Sequence, residues 1–256
     1  MKRAFQLMMF VAVAAALAAP AQAQMLSWQD HGFLNVNFGS VSKQENTIST
    51  SRTFSLYDET GQIGSSQTFE TGGTFPEFAA GIRVFGNFGI GVAYNQFSSE
   101  SEGTVTASVP HPIYYDQPRS ASSTVSALTH SQKAFHLMAL FVLPLSDKFD
   151  VTLSAGPTFF SVEQGTINAA SAQIGPDIAP YSTVSLTSVN KVTTSESKAG
   201  FNVGADATFR VTKYLGLGAF ARYAKATVEL APEGVGSTLS IDAGGMQFGG
   251  GLRIRF

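Results

Sequence analysis

The chain has no cysteine and little charge. Without cysteine, its 256 residues can form neither a disulfide framework nor a thiolate metal site. Charged residues make up 13% of the chain, about half of the roughly 25% that soluble domains carry. The formal net charge is −2 and Lys and Arg do not cluster, so a nucleic-acid partner is not indicated.

Long hydrophobic runs are also scarce after the N-terminus. The longest nearly apolar stretch, residues 134–145, contains His136 and Pro144 and is too short for a membrane-spanning helix, which needs about 20 apolar residues. If the chain enters a membrane, we therefore expect it to cross as strands.

The N-terminus itself has the pattern of a secretory signal peptide. Lys2 and Arg3 are basic, residues 7–19 are apolar, and Ala21 and Ala23 place small residues where a signal peptidase reads them. Pro20 ends the apolar run before it is long enough for a membrane anchor. We predict a signal peptide over residues 1–23 and a mature domain over 24–256.

The last eleven residues alternate strictly between two kinds of side chain. One side carries Met246, Phe248, Gly250, Leu252, Ile254 and Phe256, and the other carries Gln247, Gly249, Gly251, Arg253 and Arg255. Successive side chains of a strand point to opposite faces. The segment therefore predicts a strand with an apolar side toward lipid and a polar side toward an interior.

Seven further segments show the same period of two and predict strands. They cover about residues 31–40, 75–85, 88–95, 132–145, 149–164, 197–211 and 214–230. Short connections around Gly86, Asp147 and Thr212 alternate with longer ones at 45–73, 100–131, 165–195 and 231–237. We predict an all-β fold: an eight-stranded antiparallel transmembrane β-barrel with short periplasmic turns and long extracellular loops. The alternative is a secreted β-sandwich, whose strands also alternate.

The cleavage site, the eight alternating runs and the terminal Arg253-Ile254-Arg255-Phe256 together resemble the small eight-stranded outer-membrane barrels of the OmpA and OmpX type. The resemblance spans the mature chain and implies an outer-membrane location. It also implies that the barrel-assembly machinery reads Phe256 during insertion. The first three outer loops are long for this family, and we expect a bare barrel without a peptidoglycan-binding domain after Phe256.

The strand parities place seven charged residues on the inward side, and these are the candidate site residues: Glu77, Arg83, Asp206, Arg210, Arg222, Arg253 and Arg255. Eight strands enclose an interior just wide enough to be filled by side chains. We expect a plug of hydrogen-bonded ion pairs, with Arg253 and Arg255 as candidate partners of Glu77 and Asp206. The alternative is a ring that selects solutes in a pore.

The four histidines do not indicate catalysis or a metal site. His31, His111, His130 and His136 lie on separate segments without a metal-ligand spacing. His130 and Ser131 are adjacent on one predicted strand, so they point to opposite faces and cannot act as base and nucleophile. We expect no catalytic residue, no metal and no cofactor.

The long connections are the candidate partner surfaces. Alternation on either side of Glu59 to Gly61 predicts a hairpin that extends beyond the membrane, and Val105, Ala107 and Val109 predict another extension. We expect a monomeric, non-enzymatic outer-membrane protein with a structural or surface-interaction role. It would contact outer-membrane lipids and lipopolysaccharide, and an extracellular partner through 45–73 and 100–131. The alternatives are a narrow pore for small or hydrophobic solutes, and a lipid A or phospholipid hydrolase.

Overall fold

The computed structural model describes residues 27–232 and 238–256. Within these ranges the chain folds into ten antiparallel strands. They are β1 (Gly32–Val41), β2 (Glu45–Leu56), β3 (Glu59–Glu70), β4 (Thr74–Phe85), β5 (Phe88–Val109), β6 (Arg119–Pro144), β7 (Phe149–Ile174), β8 (Leu186–Arg210), β9 (Leu215–Leu230) and β10 (Leu239–Arg255). No helix in the described part of the chain is long and apolar enough to span a membrane. The predicted signal peptide, with Ala21 and Ala23, lies outside the described residues, as does 233–237.

Eight of these strands pair in a closed ring. The order is β1, β4, β5, β6, β7, β8, β9 and β10, and β10 pairs again with β1. At the closing seam Leu34 lies opposite Ile254, and the main-chain N–H of Phe256 donates to the carbonyl of Gly32 at 3.1 Å. Closure leaves these strands without free edges along the ring. The all-β, antiparallel prediction is confirmed.

The predicted total of eight strands is wrong, because residues 45–73 contain a hairpin of two strands, β2 and β3. Its turn lies at Tyr57 and Asp58, two residues before the predicted position, and both have positive φ, 54° and 60°. Leu56 and Glu59 pair across this two-residue turn, the geometry of a type I′ hairpin. The hairpin joins the ring through β3, where Gln62 lies opposite Ser108 of β5.

Most of the other predicted loops are also strand. β5 to β8 have 22, 26, 26 and 25 residues, so most of 100–131 and much of 165–195 continue the strands of the ring. Only 110–118 and 175–185 connect them at the far end. The opposite end, here called the lower end, has the turns at 86–87, 145–148 and 211–214.

The polarity of the two faces reverses along β5 and β6. In the lower half of β5 the exposed side chains are Phe88, Ile90, Val92 and Tyr94. Further along, the exposed ones are Gln96, Ser98, Glu100, Glu102, Thr104 and Thr106, and the buried ones are Val105, Ala107 and Val109. The lower half is therefore apolar outside, and the upper half is apolar inside.

Above this reversal the ring opens into two layers. Pairing between β6 and β7 ends at His130 and Gln164, close to a bulge where Ala127 has a φ of 56°; bulges bend strands. One layer contains β2, β3, β5 and β6, and the other contains β7 and β8. Between them lies an apolar core that includes Ile63 and Ile167. We call residues 45–70, 98–129 and 165–198 the outer module.

Candidate functional site

The middle of the ring contains a buried ion pair between β4 and β9. Glu77 is 1% exposed and Arg222 is 6% exposed, and the guanidinium donates to both carboxylate oxygens of Glu77. Asn37 and Asn95 donate to the same carboxylate at 3.1 and 3.3 Å. A buried charge without partners would be very costly, and here the carboxylate of Glu77 accepts hydrogen bonds from all three neighbouring side chains.

The closing strand contributes two more ion pairs below this one. Arg253 donates to the carboxylate of Asp206 at 2.6 and 3.1 Å, and Arg255 lies 3.2 Å from Asp150. Both arginine side chains are almost fully buried. Asp206 was an expected partner of these arginines, whereas Asp150 was not identified from the sequence.

The lower mouth of the ring is covered by the segment before β1. Asp30 lies 2.9 Å from Arg210, which also reaches Asp150 at 3.3 Å. Trp28 is 1% exposed, and its carbonyl accepts a hydrogen bond from Arg83. All seven sequence-predicted site residues thus lie along the interior or its lower mouth, and Asp30, Asp150 and Trp28 join them. The sequence offered no signal for Asp30 and Trp28, because they precede the first predicted strand. Asp150 lies within the predicted strand 149–164, where alternation with Val151 could have placed it inward.

The alternation of the sequence predicts a polar interior, but the interior also contains apolar clusters. Beside Trp28, an apolar cluster that includes Phe33 and Met138 fills the lower part. Above the ion pairs, Phe75 and Phe97 are buried with Phe220. Phe75 and Phe97 lie near predicted strand ends, but they face inward and belong to no exposed belt.

Only a small cavity remains within the ion-pair layer. Its volume is about 30 Å³, and Asn35, Glu77, Asp206, Arg222 and Arg255 are among the residues that line it. A water molecule needs at least roughly 10 to 15 Å³ of such space. The cavity therefore has room for about two water molecules.

His130 and His136 line the same interior. His136 Nε2 accepts a hydrogen bond from the side-chain amide of Asn95 at 3.1 Å, and its Nδ1 lies 2.8 Å from the hydroxyl of Thr158. His130 lies 2.8 Å from Gln164 through Nδ1 and is fully buried, while Ser131 on the opposite face is half-buried. In the described residues no three His, Asp or Glu side chains are grouped to hold a metal ion.

Two rows of exposed aromatic residues encircle the lower half of the ring. The upper row has one aromatic residue on each of the eight strands: Phe38, Phe78, Tyr94, Phe135, Phe159, Phe201, Tyr223 and Phe248. Four of them are successive cross-strand partners, Phe78 with Tyr94, Tyr94 with Phe135, and Phe135 with Phe159. The lower row lies near the turns and consists of Phe85, Phe88, Phe149, Phe209, Tyr214 and Phe256.

At the far end of the outer module, one ion pair joins three connections, a feature that the sequence did not indicate. Arg119, at the start of β6, lies 2.6 Å from Asp177 in the connection between β7 and β8. Tyr57, in the turn of the hairpin, donates its hydroxyl to the same carboxylate. Arg119 also donates to the carbonyl of Pro110 at 2.9 Å. We call this cluster the tip knot.

Hydrogen bonding in the tip knot shifts two acid groups in opposite directions. The Tyr57 hydroxyl, followed by Arg119, lowers the pKa of Asp177, and the hydrogen bond to Asp177 raises the pKa of Tyr57. Because the pKa of Asp177 is lowered, its contribution to folding stability is lost only as the pH falls below the ordinary range of an aspartate. Because the pKa of Tyr57 is raised, its contribution is lost only as the pH rises above the ordinary range of a tyrosine. The knot is therefore stable across the neutral range of pH.

The outward face of β2, β3, β5 and β6 forms a regular array of uncharged polar side chains. Its three cross-strand rows are Thr53, Gln62, Ser108 and Ser120; Ser51, Gly64, Thr106 and Ser122; and Ser49, Ser66, Thr104 and Thr124. We call these twelve positions the outer grid. Ten of the twelve positions carry a hydroxyl group. Gly64 and Ser108 are half-buried, and the other ten positions are exposed. Around Gly64 a groove of about 440 Å³ crosses the grid.

No protein-family model matches the chain, and no curated protein matches it. Among solved structures, it is similar to Neisserial surface protein A, with 10% identity, 88% of this chain and 97% of that chain covered, and a TM-score of 0.41. It is also similar to Ail, the attachment invasion locus protein of Yersinia pestis, with 8% identity, 88% and 99% covered, and a TM-score of 0.37. The outer membrane protease OmpT from Escherichia coli gives 9% identity, 91% and 99% covered, and a TM-score of 0.42. At this level of similarity none of their activities is transferred to this chain.

Proposed function

We propose that the chain is an outer-membrane β-barrel protein without enzymatic activity, whose closed barrel holds a rigid outer module at the cell surface for interaction with a partner. The reversal of polarity along β5 and β6 is the main support. An apolar exterior requires an apolar surrounding, and an apolar interior with a polar exterior requires water. The boundary between lipid and water then lies just above the upper aromatic row.

The height of the apolar band fits a membrane. From Phe149 to Phe159, β7 advances about 33 Å along its own axis at roughly 3.3 Å per residue. At a strand tilt of about 40° this is about 25 Å of height, the usual height of the apolar band on such barrels. Aromatic rows at both interfaces are also typical of them.

The filled interior favours a structural barrel over a pore. Between the two apolar clusters, the ion-pair layer contains a cavity of about 30 Å³, which is too small for a solute larger than water. The lower mouth is covered as well, because Trp28 is buried there. Passage of a solute would require several of these side chains to move together.

The outer module has the chemistry of a recognition surface. Tyr114 and Tyr115 are 57% and 80% exposed, the tip knot fixes the connections that bear them, and the outer grid lies beside them. Tyrosine supplies a large rigid contact area, while serine and glycine supply adaptable hydrogen bonding. Preorganised connections also lower the entropic cost of binding.

The other partners in this proposal follow from the location. Lipids and lipopolysaccharide would cover the apolar band. The barrel-assembly machinery would read the closing strand through Phe256, whose side chain is exposed at the lower end. Export would depend on the signal peptide cut after Ala23, and the protein would be a monomer.

The orientation can be tested with single cysteine variants, because the natural chain has no cysteine. We expect Ser122→Cys to react with a membrane-impermeant maleimide on intact cells, since this position is exposed on the outer module. Asp147→Cys, in a lower turn, should react only after the outer membrane is permeabilised. The cysteine-free parent is the control.

Equal labelling of the two variants on intact cells would contradict the orientation. Recovery of the protein in the soluble periplasm, with gel migration unchanged by heating, would contradict the barrel itself.

A further inference from the structure

The outer grid lacks the features with which most partners are held. It has no charged side chain and no aliphatic or aromatic one. An anionic polymer would need Lys or Arg on this face. A protein partner generally needs a buried apolar or aromatic anchor, and the grid has no position for one.

Hydroxyl groups suit a different class of partner. Each is both a donor and an acceptor of hydrogen bonds. Neighbouring strands lie about 4.8 Å apart, and alternate residues of one strand are roughly 6.7 Å apart. The grid thus offers uncharged hydrogen-bonding groups that repeat both along and across the strands. A chain of sugar units also carries repeated uncharged hydroxyl groups, so the two can pair group by group.

The groove gives this surface a defined place for a ligand. Gly64 interrupts the middle row, between Ser51 and Thr106, and the groove has the size usual for ligand sites, about 300 to 1,000 Å³. Ser120 and Ser122 line its far side. Below the grid, the first charged side chain on β5 is Glu102, which accepts a hydrogen bond from Ser126 at 3.1 Å.

We propose that the outer grid binds an uncharged polysaccharide, with one or a few sugar units seated in the groove at Gly64. This inference rests on the proposed function, because it requires the outer module to face the exterior of the cell. The exposed tyrosines at the tip, beyond the upper row of the grid, provide flat amphipathic rings against which a sugar chain can extend.

The test is affinity electrophoresis of the purified protein in gels that contain a soluble polysaccharide. The panel consists of dextran, mannan, galactan and xylan, with dextran sulfate as the charged match of dextran. We expect at least one neutral polymer to retard the protein, and dextran sulfate to retard it no more than dextran does. No retardation by any neutral polymer, or retardation by dextran sulfate alone, would overturn the inference.

Two substitutions locate the binding. A side chain at Gly64 meets only ordinary contacts, the carbonyl of Thr50 at 3.4 Å and the Thr106 hydroxyl at 3.6 Å. Gly64→Gln should therefore fold normally, fill the groove and weaken retardation at least tenfold. Thr106→Val removes one hydroxyl with little change of shape. It should weaken retardation about twofold to tenfold, which corresponds to the net free energy of one neutral hydrogen bond.

Thr47→Gln is the matched control, because Thr47 is exposed on the same sheet below the grid. Unchanged retardation of Gly64→Gln would show that the groove is not the site. Labelling of Ser122→Cys on intact cells separates the two proposals. If Ser122→Cys is labelled but no neutral polymer binds, the proposed display of the outer module at the cell surface is supported, and the proposed binding of a polysaccharide is rejected.

Discussion

The charged residues that strand parity placed on the inward side lie in the interior or at its lower mouth, but only some of their partners follow from the sequence: Arg253 pairs with Asp206 as expected. Alternation alone places Glu77 and Arg222 on the polar side of their strands. Their pairing joins positions 145 apart in the chain, so it depends on how the ring closes. Glu77 was assigned to the arginines of the closing strand, and it pairs with Arg222 of β9 instead.

The ion pair between Glu77 and Arg222 gives a prediction at this scale. Glu77→Ala should lower the free energy of unfolding by about 3 to 5 kcal/mol, because it leaves a buried guanidinium without its partner. Removing both charges, in Glu77→Leu with Arg222→Met, should restore most of the loss. Urea unfolding in detergent, followed by the fluorescence of Trp28, the sole tryptophan, measures both. A single variant as stable as the parent would contradict the assignment.

At the scale of the strands, the sequence indicated the ends of the strands that lie at the lower turns. It did not indicate how far the strands extend toward the tip. The reason is the reversal of polarity. Along β5, the apolar residues change from the even-numbered side, which includes Tyr94, to the odd-numbered side, which includes Val105. A search for one continuous apolar face stops at that change, although the main-chain pairing continues to Val109. The hairpin of β2 and β3 was recognised, yet it was treated as part of a loop.

The hairpin is expected to be separable from the ring. Val41 and Gly73, which flank it, are already joined by a hydrogen bond of 2.9 Å, so residues 42–72 can be replaced by Asn-Gly, a favourable two-residue turn. The ring should still show heat-modifiable gel migration. The outer module should become sensitive to protease, because Ile63 and Phe69 leave its apolar clusters.

A milder change provides the control for this deletion. Replacing only Tyr57 and Asp58 by Asn-Gly preserves both strands and suits the positive φ angles of that turn, so protease resistance should persist in most of the module. Loss of heat-modifiable migration in the deletion variant would show that the ring depends on the hairpin.

For the whole molecule, period-two patterning was sufficient for the all-β, antiparallel class of fold. It could not reveal that the interior is layered, because alternation distinguishes two faces but not the order of levels along the axis. The lower apolar cluster depends on Trp28, which precedes every predicted strand. The tip knot joins Tyr57, Arg119 and Asp177, three residues with no pattern in common in the sequence.

The layered interior predicts very low conductance. Purified protein in planar bilayers should show little or no steady current, since the cavity in the ion-pair layer measures only about 30 Å³ and Phe75 and Phe97 are buried with Phe220 above the ion pairs. Large and stable channels would contradict a filled barrel. The hairpin deletion serves as a comparison, because it leaves Phe75, Phe97 and the ion pairs in place and should remain equally closed.

The long course of β5 to β8 has a mechanical consequence. These strands run from the lower turns to the tip, with a bulge at Ala127 of β6 and irregular pairing beyond Asn168 of β7, so a pull on the tip acts largely along their axes. Neighbouring strands would have to slide past one another, and many main-chain hydrogen bonds would have to break together instead of one after another. The molecule would thus act as a stiff tether that transmits load from its outermost point into the barrel wall.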